Sequence, residues 1–508
     1  MSRIRNVKNG LVIGVLNNLV NILLPFITRT IIIYKLGMPY VGLGGLFTSI
    51  LNVLSLTELG FGAAISYTLY KPIAQGDTAK VNAILNLYRN VYRIMGTIIL
   101  LLGIMLCPFL DKLVKGEHPA DINLYVLFFI YIFNTVVSYL AFAYKKILLA
   151  AHQRYDIEVG ITMVIGLVQY GLQIVLLLCF ANYYLYVIIL PLMTVVGNLV
   201  SYYVVSKMFP QYKCEGKMER EEIVGIAKNV GGAFFSKMGS TIYLSADNIV
   251  ISAFLGLSVL GVYGNYYYVI SALIAIFAVG HNTIRPVIGN YLVTESKEKN
   301  WELLKKINYI YMCAVVFCCS CCAVLYQSFE YLWGKEANML PFVIVVLLVI
   351  YFYTGRISAV LTIFQEAAGI WWYGKFVPLI SALVNLGLNL YLVNKVGLIG
   401  VIVSSIISSM LVTFPGNVYI IFKYLFTEKQ QKLEYLKFSL TFTIKGIFVI
   451  VLTYLCCFRL QGNTIVEFIV KGIVCVIVAV LLLVLLNFNN PYMKEVFVQV
   501  KGKLRKEN

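Results

Sequence analysis

From residue 11 to residue 487 the sequence is a succession of apolar runs about 20 residues long, separated by short polar connections. That recurrence decides the class, because roughly 20 apolar residues at 1.5 Å per helical residue cross a hydrocarbon layer of about 30 Å. The chain is 60% hydrophobic and 13% charged, too little polar surface to cover a body in water. The alternating short strands of a membrane barrel are absent. The 37 Tyr supply rings for two membrane interfaces. The expected fold class is an all-α polytopic membrane protein.

About 14 spans can be laid out, near 11–36, 41–70, 90–110, 122–144, 158–180, 183–207, 226–255, 259–286, 307–328, 341–364, 374–394, 398–422, 442–460 and 467–487. The opening MSRIRNVKNG continues into an apolar run with no small-residue cleavage site, so it reads as a retained first helix. Lys and Arg crowd alternate connections: Lys71, Lys80, Arg89 and Arg93; Lys145, Lys146 and Arg154; Lys207, Lys213 and Arg220. The positive-inside bias makes that set cytoplasmic, with both termini inside. The net charge of +18 is therefore a topology signal and not a sign of nucleic-acid binding. The segments 71–88, 209–229 and 294–306 are amphipathic and are expected to lie as interfacial helices.

The stretch "YKLGMPYVGLGGLFTSILNVL" (34–54) is echoed by "AFLGLSVLGVYGNYYYVISAL" (253–273). Gly37, Gly42 and Gly45 match Gly256, Gly261 and Gly264, and Leu54 matches Leu273. Both copies fall at an outward corner, and an even number of spans separates them. The chain thus reads as two parallel six-helix lobes plus two C-terminal helices, a repeat architecture used by transporters. The expected divisions are 1–208 (first lobe), 209–225 (cytoplasmic linker), 226–423 (second lobe), 424–490 (two extra spans) and 491–508 (basic tail).

Charges inside the spans are the functional signal, since each costs at least about 2.5–3.5 kcal/mol at the bilayer centre and needs a partner or a cavity. Arg29 lies in the first span, sharing a helical face with Asn18, Asn21 and Pro25. Snorkelling towards Lys35 is the competing reading. Glu58 lies in the second span. The seventh carries Lys237, Ser240, Thr241, Asp247 and Asn248. Arg285 and Arg356 lie in the inner parts of the eighth and tenth. Cations outnumber anions, so a cavity lined this way suits a phosphate-bearing cargo, with Arg as a fork-shaped donor. Arg29, Lys237, Arg285, Arg356, Asn18 and Asn21 are the expected substrate contacts. Glu58 and Asp247 are the expected sites for a coupling ion or proton. No catalytic residue, metal site or cofactor is expected. The C-x-x-C spacings at Cys318/Cys321 and Cys319/Cys322 lack polar companions, the chain has only 3 His, and no G-x-x-x-x-G-K-[ST] stretch is present.

"TRTIIIYKLGMPYVGLGGLFTSILNVLSLTELGFGAAISYTLYKPIAQGD" (28–77) resembles the opening of Wzx-type polysaccharide flippases, and "SADNIVISAFLGLSVLGVYGNYYYVISAL" (245–273) resembles their second-half motif. These flippases belong to the multidrug/oligosaccharidyl-lipid/polysaccharide exporter superfamily. The resemblance implies two six-helix lobes around a cavity that opens alternately to each side. It implies an undecaprenyl-diphosphate-linked oligosaccharide as cargo, flipped outward across a bacterial inner membrane for O-antigen or capsule synthesis. Membrane lipids, a polysaccharide polymerase and glycosyltransferases are the candidate partners, with no nucleic acid. A lipid II flippase or a drug/cation antiporter of the same superfamily is the alternative. The alternative from another class is a membrane polysaccharide polymerase or ligase, which would need an outward platform larger than these short loops.

Overall fold

In the computed structural model, residues 2–58, 61–116, 118–334 and 336–495 are described; of these, the side chains of residues 2–16, 18, 19, 57, 58, 61, 63, 64 and 227–233 are not. All regular structure among the described residues is helical. The chain divides into two units, Met1–Gly264 and Asn265–Asn508.

The first unit holds α1 (Ser2–Lys35), α2 (Met38–Leu54), α3 (Phe61–Gln75), α4 (Thr78–Leu106), α5 (Leu124–Leu140), α6 (Ile147–Ala151), α7 (Tyr155–Phe180), α8 (Tyr183–Met208) and α9 (Arg220–Leu255). It ends in the first turns of α10 (Leu257–Thr294). Helix starts follow the sequence chemistry: Asp77, Asn123 and Asn182 each turn a side-chain oxygen onto the free N–H groups of α4, α5 and α8. α1 packs along α7, α7 on α8, α8 on α5, α5 on α4, and α2 on α9. Leu43, Leu46, Phe47, Ile65, Leu69, Ile84 and Phe128 form the buried interior. The outer faces stay apolar: Ile94, Leu101 and Met105 on α4 are exposed, a surface that lipid covers.

The second unit continues with α11 (Lys297–Gly334), α12 (Phe342–Arg356), α13 (Ala359–Ala367), α14 (Val377–Val396), α15 (Leu398–Ser408), α16 (Phe414–Tyr424), α17 (Lys429–Cys457) and α18 (Ile465–Asn487). α11 is its hub, packing on α12, α17 and α18. On α17 the buried positions Tyr435, Ser439, Phe442, Gly446, Val449, Thr453 and Cys457 recur every three to four residues, while Leu440, Ile444, Ile447, Val451 and Leu455 face outward. Thr464 and Glu467 close a capping box at the start of α18.

Eleven helices among the described residues are long and apolar enough to cross a membrane, and twelve if α5 and the segment Ala143–Ala151, bent by 52°, count as one span. Of the fourteen expected, the first lies in α1. The second, expected as one run over 41–70, is broken at Ser55–Glu58 into α2 and α3. The expected interfacial helices differ more. Residues 209–219 form no helix; Cys214 (φ 52°) and Gly216 (φ 86°) turn the chain before α9 starts at Arg220. The amphipathic stretches at 78–88 and 297–306 continue without a break into α4 and α11, because polar residues at helical spacing look the same on a separate surface helix as on the wet end of a span. The span expected at 398–422 is continuous but carries a π-turn at Ser409–Thr413, just before Pro415, whose ring cannot join the ordinary hydrogen-bond ladder.

Polar side chains tie helices inside the second unit. Asn385 Nδ2 on α14 donates to Ser405 Oγ on α15 at 2.8 Å, and Asn389 Nδ2 donates to Asn385 Oδ1 at 3.2 Å, all three residues fully buried. Asn385→Ala is expected to lower stability by about 1–2 kcal/mol, since hydrogen bonds between helices in lipid are worth that much at most. Thermal unfolding in detergent checks it; an unchanged midpoint would show that the ladder contributes nothing.

Candidate functional site

The repeated glycines build one feature of the first unit. Gly37 (φ 109°, ψ 176°) separates α1 from α2, and Gly256 (φ 95°, ψ 170°) separates α9 from α10, so the two corners share one backbone conformation that residues with a side chain rarely adopt. Five residues past each corner, the glycines mate in exchange. A Cβ on Gly42 would overlap the Leu257 carbonyl oxygen, with the carbonyl carbon 2.9 Å away. A Cβ on Gly261 would overlap the Met38 carbonyl oxygen, with its carbon likewise 2.9 Å away. The starts of α2 and α10 therefore touch backbone to backbone, as small residues allow in membranes.

Arg29 is set by this crossing. Its Nη2 donates to the Gly261 carbonyl at 3.4 Å and lies so close to Gly264 that a Cβ there would come within 2.7 Å. Tyr183 and Tyr186 on α8 are near enough to feel its charge. Asn248, which stands before its corner glycine as Arg29 stands before Gly37, reaches the opposite way: its Nδ2 donates to Ser49 Oγ on α2 at 2.8 Å. Position eight before each corner thus contacts the other copy's helix. Arg29 is half-buried against the start of α10.

The other expected contacts in this unit are spread out. Asp247 is buried, at 7% exposure, next to Asn248 on α9. Lys237 is exposed and lies about 15 Å back along the same helix. Asn21 is exposed, and Asn17, on the same helix, has a buried Oδ1 with no partner among the described residues. The side chains of Asn18 and Glu58 lie outside the described residues.

In the second unit, Arg285 on α10 is engaged by a residue absent from the sequence expectations. Its Nη1 donates to Glu366 Oε2 on α13 at 3.0 Å, and His281 Nε2 approaches the same oxygen at 3.0 Å. An ionised carboxylate only accepts, so the His281 tautomer beside it carries its proton on Nε2. Glu366 is another charge in an apolar stretch; the expected span ended at 364, and α13 runs on to Ala367. Arg356 ends α12, where its charge suits the helix carbonyl end, and its guanidinium meets the Tyr311 hydroxyl. Two further intramembrane lysines also carry partners: Lys445 Nζ donates to the Leu486 carbonyl and Lys471 Nζ to Ser328 Oγ, both at 3.1 Å. Among the described residues no group of three His, Cys, Asp or Glu is placed to hold a metal ion.

The ion pair allows a graded expectation. Arg285 and Glu366 side chains are 47% and 35% exposed, so Arg285→Ala should cost under about 1 kcal/mol of stability. Glu366→Ala should cost more, because it leaves two groups that can carry positive charge side by side. Melting temperatures of the two variants in detergent check the order; equal shifts would show that the triad is not held by its carboxylate.

These features define a multi-pass helical membrane protein whose fold resembles those of transporters and flippases of the multidrug/oligosaccharidyl-lipid/polysaccharide exporter superfamily. The lipid II flippase MurJ in an inward closed conformation aligns with 94% of this chain and 99% of its own, at TM-score 0.68 and 13% identity. An inward-facing multidrug resistance MATE transporter aligns with 80% of this chain and 94% of its own, at TM-score 0.58 and 16% identity. The Vibrio cholerae MATE transporter VcmN, as a point variant, aligns over 85% and 99%, at TM-score 0.55 and 15% identity. No protein-family model matches the chain, and no curated protein sequence does.

Proposed function

We propose that this protein is a flippase for undecaprenyl-diphosphate-linked oligosaccharide repeat units in a bacterial inner membrane, acting by alternating access, with both termini cytoplasmic. The observation that carries the reading is Arg29: a guanidinium in a membrane span, turned into the packed helices at a duplicated glycine corner, in a fold similar to that of a lipid II flippase over 94% of the chain. A fixed guanidinium binds a diphosphate through paired charge-assisted hydrogen bonds. Lys237, Arg285 and Arg356 are the further cationic contacts, and Asn18 and Asn21 the sugar contacts. Asp247 and Glu58 take the coupling cation or proton. The lipid tail stays in the bilayer while the head group crosses.

Lipid II is the second cargo to weigh, since the structural relative that aligns with 94% of this chain is a lipid II flippase. Reconstituted protein should flip a fluorescent undecaprenyl-diphosphate oligosaccharide in vesicles, read as loss of protection from a membrane-impermeant quencher. A deletion strain should accumulate lipid-linked repeat units on the inner leaflet. Flipping of lipid II alone would move the cargo to that alternative. Export of a cationic dye without lipid flipping would sink the flippase reading in favour of an antiporter.

A further inference from the structure

One charged cavity of the first unit contains none of the residues expected to contact the cargo or a coupling ion. It holds about 560 Å³ between the middle of α4 and the C-terminal ends of α5 and α8, with loop residues 209–215 along one side, and Arg89, Arg93, Lys145 and Lys213 line it against a single carboxylate, Glu215. None of the four cations is in an ion pair among the described residues. Lys145 is the most telling. It is 9% exposed, and among the described residues its Nζ rests on Ser206 Oγ, at 2.7 Å, and over the Tyr202 ring, 4.3 Å from its centre. Burying a cation without an anion is costly, and a hydroxyl and an aromatic face offset only part of that cost. Arg89 is similar: Asn86 Oδ1 holds its Nη2 at 2.6 Å, while its Nε is buried with no partner among the described residues. Burial pushes the neighbouring Cys214 thiol up, so it stays protonated and adds no negative charge.

The pocket is also built in advance. Asn82 Oδ1 accepts from the Lys213 backbone N–H at 2.8 Å, and Asn86 Nδ2 donates to the Gly216 carbonyl at 2.7 Å, so α4 holds the loop that forms one wall. The kink after α5, with Phe142 at φ 58°, swings the segment carrying Lys145 across the other side. Phe142 and Tyr202 pack together there at 4.6 Å. Two guanidiniums one helical turn apart, a buried ammonium and flat aromatic walls match a phosphate ester, whose oxygens take several charge-assisted bonds at once. The volume falls within the range of small-molecule sites.

We propose that this pocket is an anion site for a phosphate-bearing group, either a phospholipid headgroup or a soluble phosphate ester. It is independent of the transport reading, which places its contacts elsewhere. The test uses the full chain purified in neutral detergent, titrated with inorganic pyrophosphate by calorimetry. Wild type should bind, and the Arg89→Gln/Lys145→Gln double variant should bind at least about tenfold more weakly. Should the buried change impair folding, Arg93→Glu/Lys213→Glu alters only exposed side chains of the pocket and should weaken binding likewise. Lys35→Gln, an exposed lysine at the end of α1 and outside the pocket, should bind as wild type. The source is read in phosphatidylcholine nanodiscs with and without phosphatidylglycerol, by native mass spectrometry. Retained phosphatidylglycerol that pyrophosphate displaces identifies a headgroup, and pyrophosphate binding indifferent to the lipid identifies a soluble ester. No pyrophosphate binding by wild type, or equal binding by wild type and both pocket variants, overturns the proposal, as does loss of binding in Lys35→Gln alone.

Discussion

Gly42→Ala and Gly261→Ala are expected to destabilise the protein by about 1–3 kcal/mol each, the range of overpacking a tight interior. The physical reason is that the obstructing atoms are backbone. The new methyl at either position would meet a main-chain carbonyl, of Leu257 or of Met38, and no side-chain rotamer can move it away. The helices must separate, and with them the Arg29 contact to Gly261 and the Asn248 contact to Ser49. Gly160→Ala on α7 is the matched control, since nothing lies within 4 Å of its would-be Cβ. There alanine should be neutral or stabilise by about 0.4–1 kcal/mol, through the unfolded chain. Thermal midpoints in detergent separate the two classes, and equal midpoints for Gly42→Ala and Gly160→Ala would refute the backbone-contact account.

Arg29→Leu is expected to cut flipping about 10- to 100-fold, the equivalent of losing a hydrogen bond to a charged group worth about 1.5–3 kcal/mol. Arg29→Lys should recover only part of the rate, because an ammonium keeps the charge and loses the planar fork. The readout that separates cargo contact from scaffolding is the pairing of rate with stability. Arg29 also bonds the Gly261 carbonyl, so a purely structural role would lower the melting temperature of Arg29→Leu without any preference between Arg and Lys in cargo competition. Full flipping by Arg29→Leu at normal protein level would remove Arg29 from the site.

The sequence announces the helices because lipid leaves a span few options: its backbone must bond to itself, so about 20 apolar residues can hardly be anything but a helix. Hence α7, α8 and α18 fall within a few residues of expectation. The break between α2 and α3 was not legible, because Ser55, Thr57 and Glu58 are too few to interrupt the apolar run over 41–70 and hydropathy carries no record of backbone turns. Glu366 was missed for a related reason. Its charge was plain, but its relevance depended on where α13 ends, and two residues of helix decided it. The cavity around Lys145 could not be read either, since Arg89, Lys145 and Lys213 looked like three separate topology signals on three connections.

By itself, the sequence determined that this chain is helical, crosses a membrane many times, carries charges it must satisfy inside, and repeats a glycine corner. Those are local properties: hydropathy, helical period and residue spacing are written along the chain. Only the tertiary structure decided which charge meets which partner. It showed that the two glycine corners grip each other's backbone, that Arg29 is half-buried against the start of α10, that Glu366 holds Arg285, and that the scattered basic residues of three connections share one pocket. The reason is that pairings between helices distant in sequence depend on packing distances of a few ångströms, which no periodicity along the chain encodes.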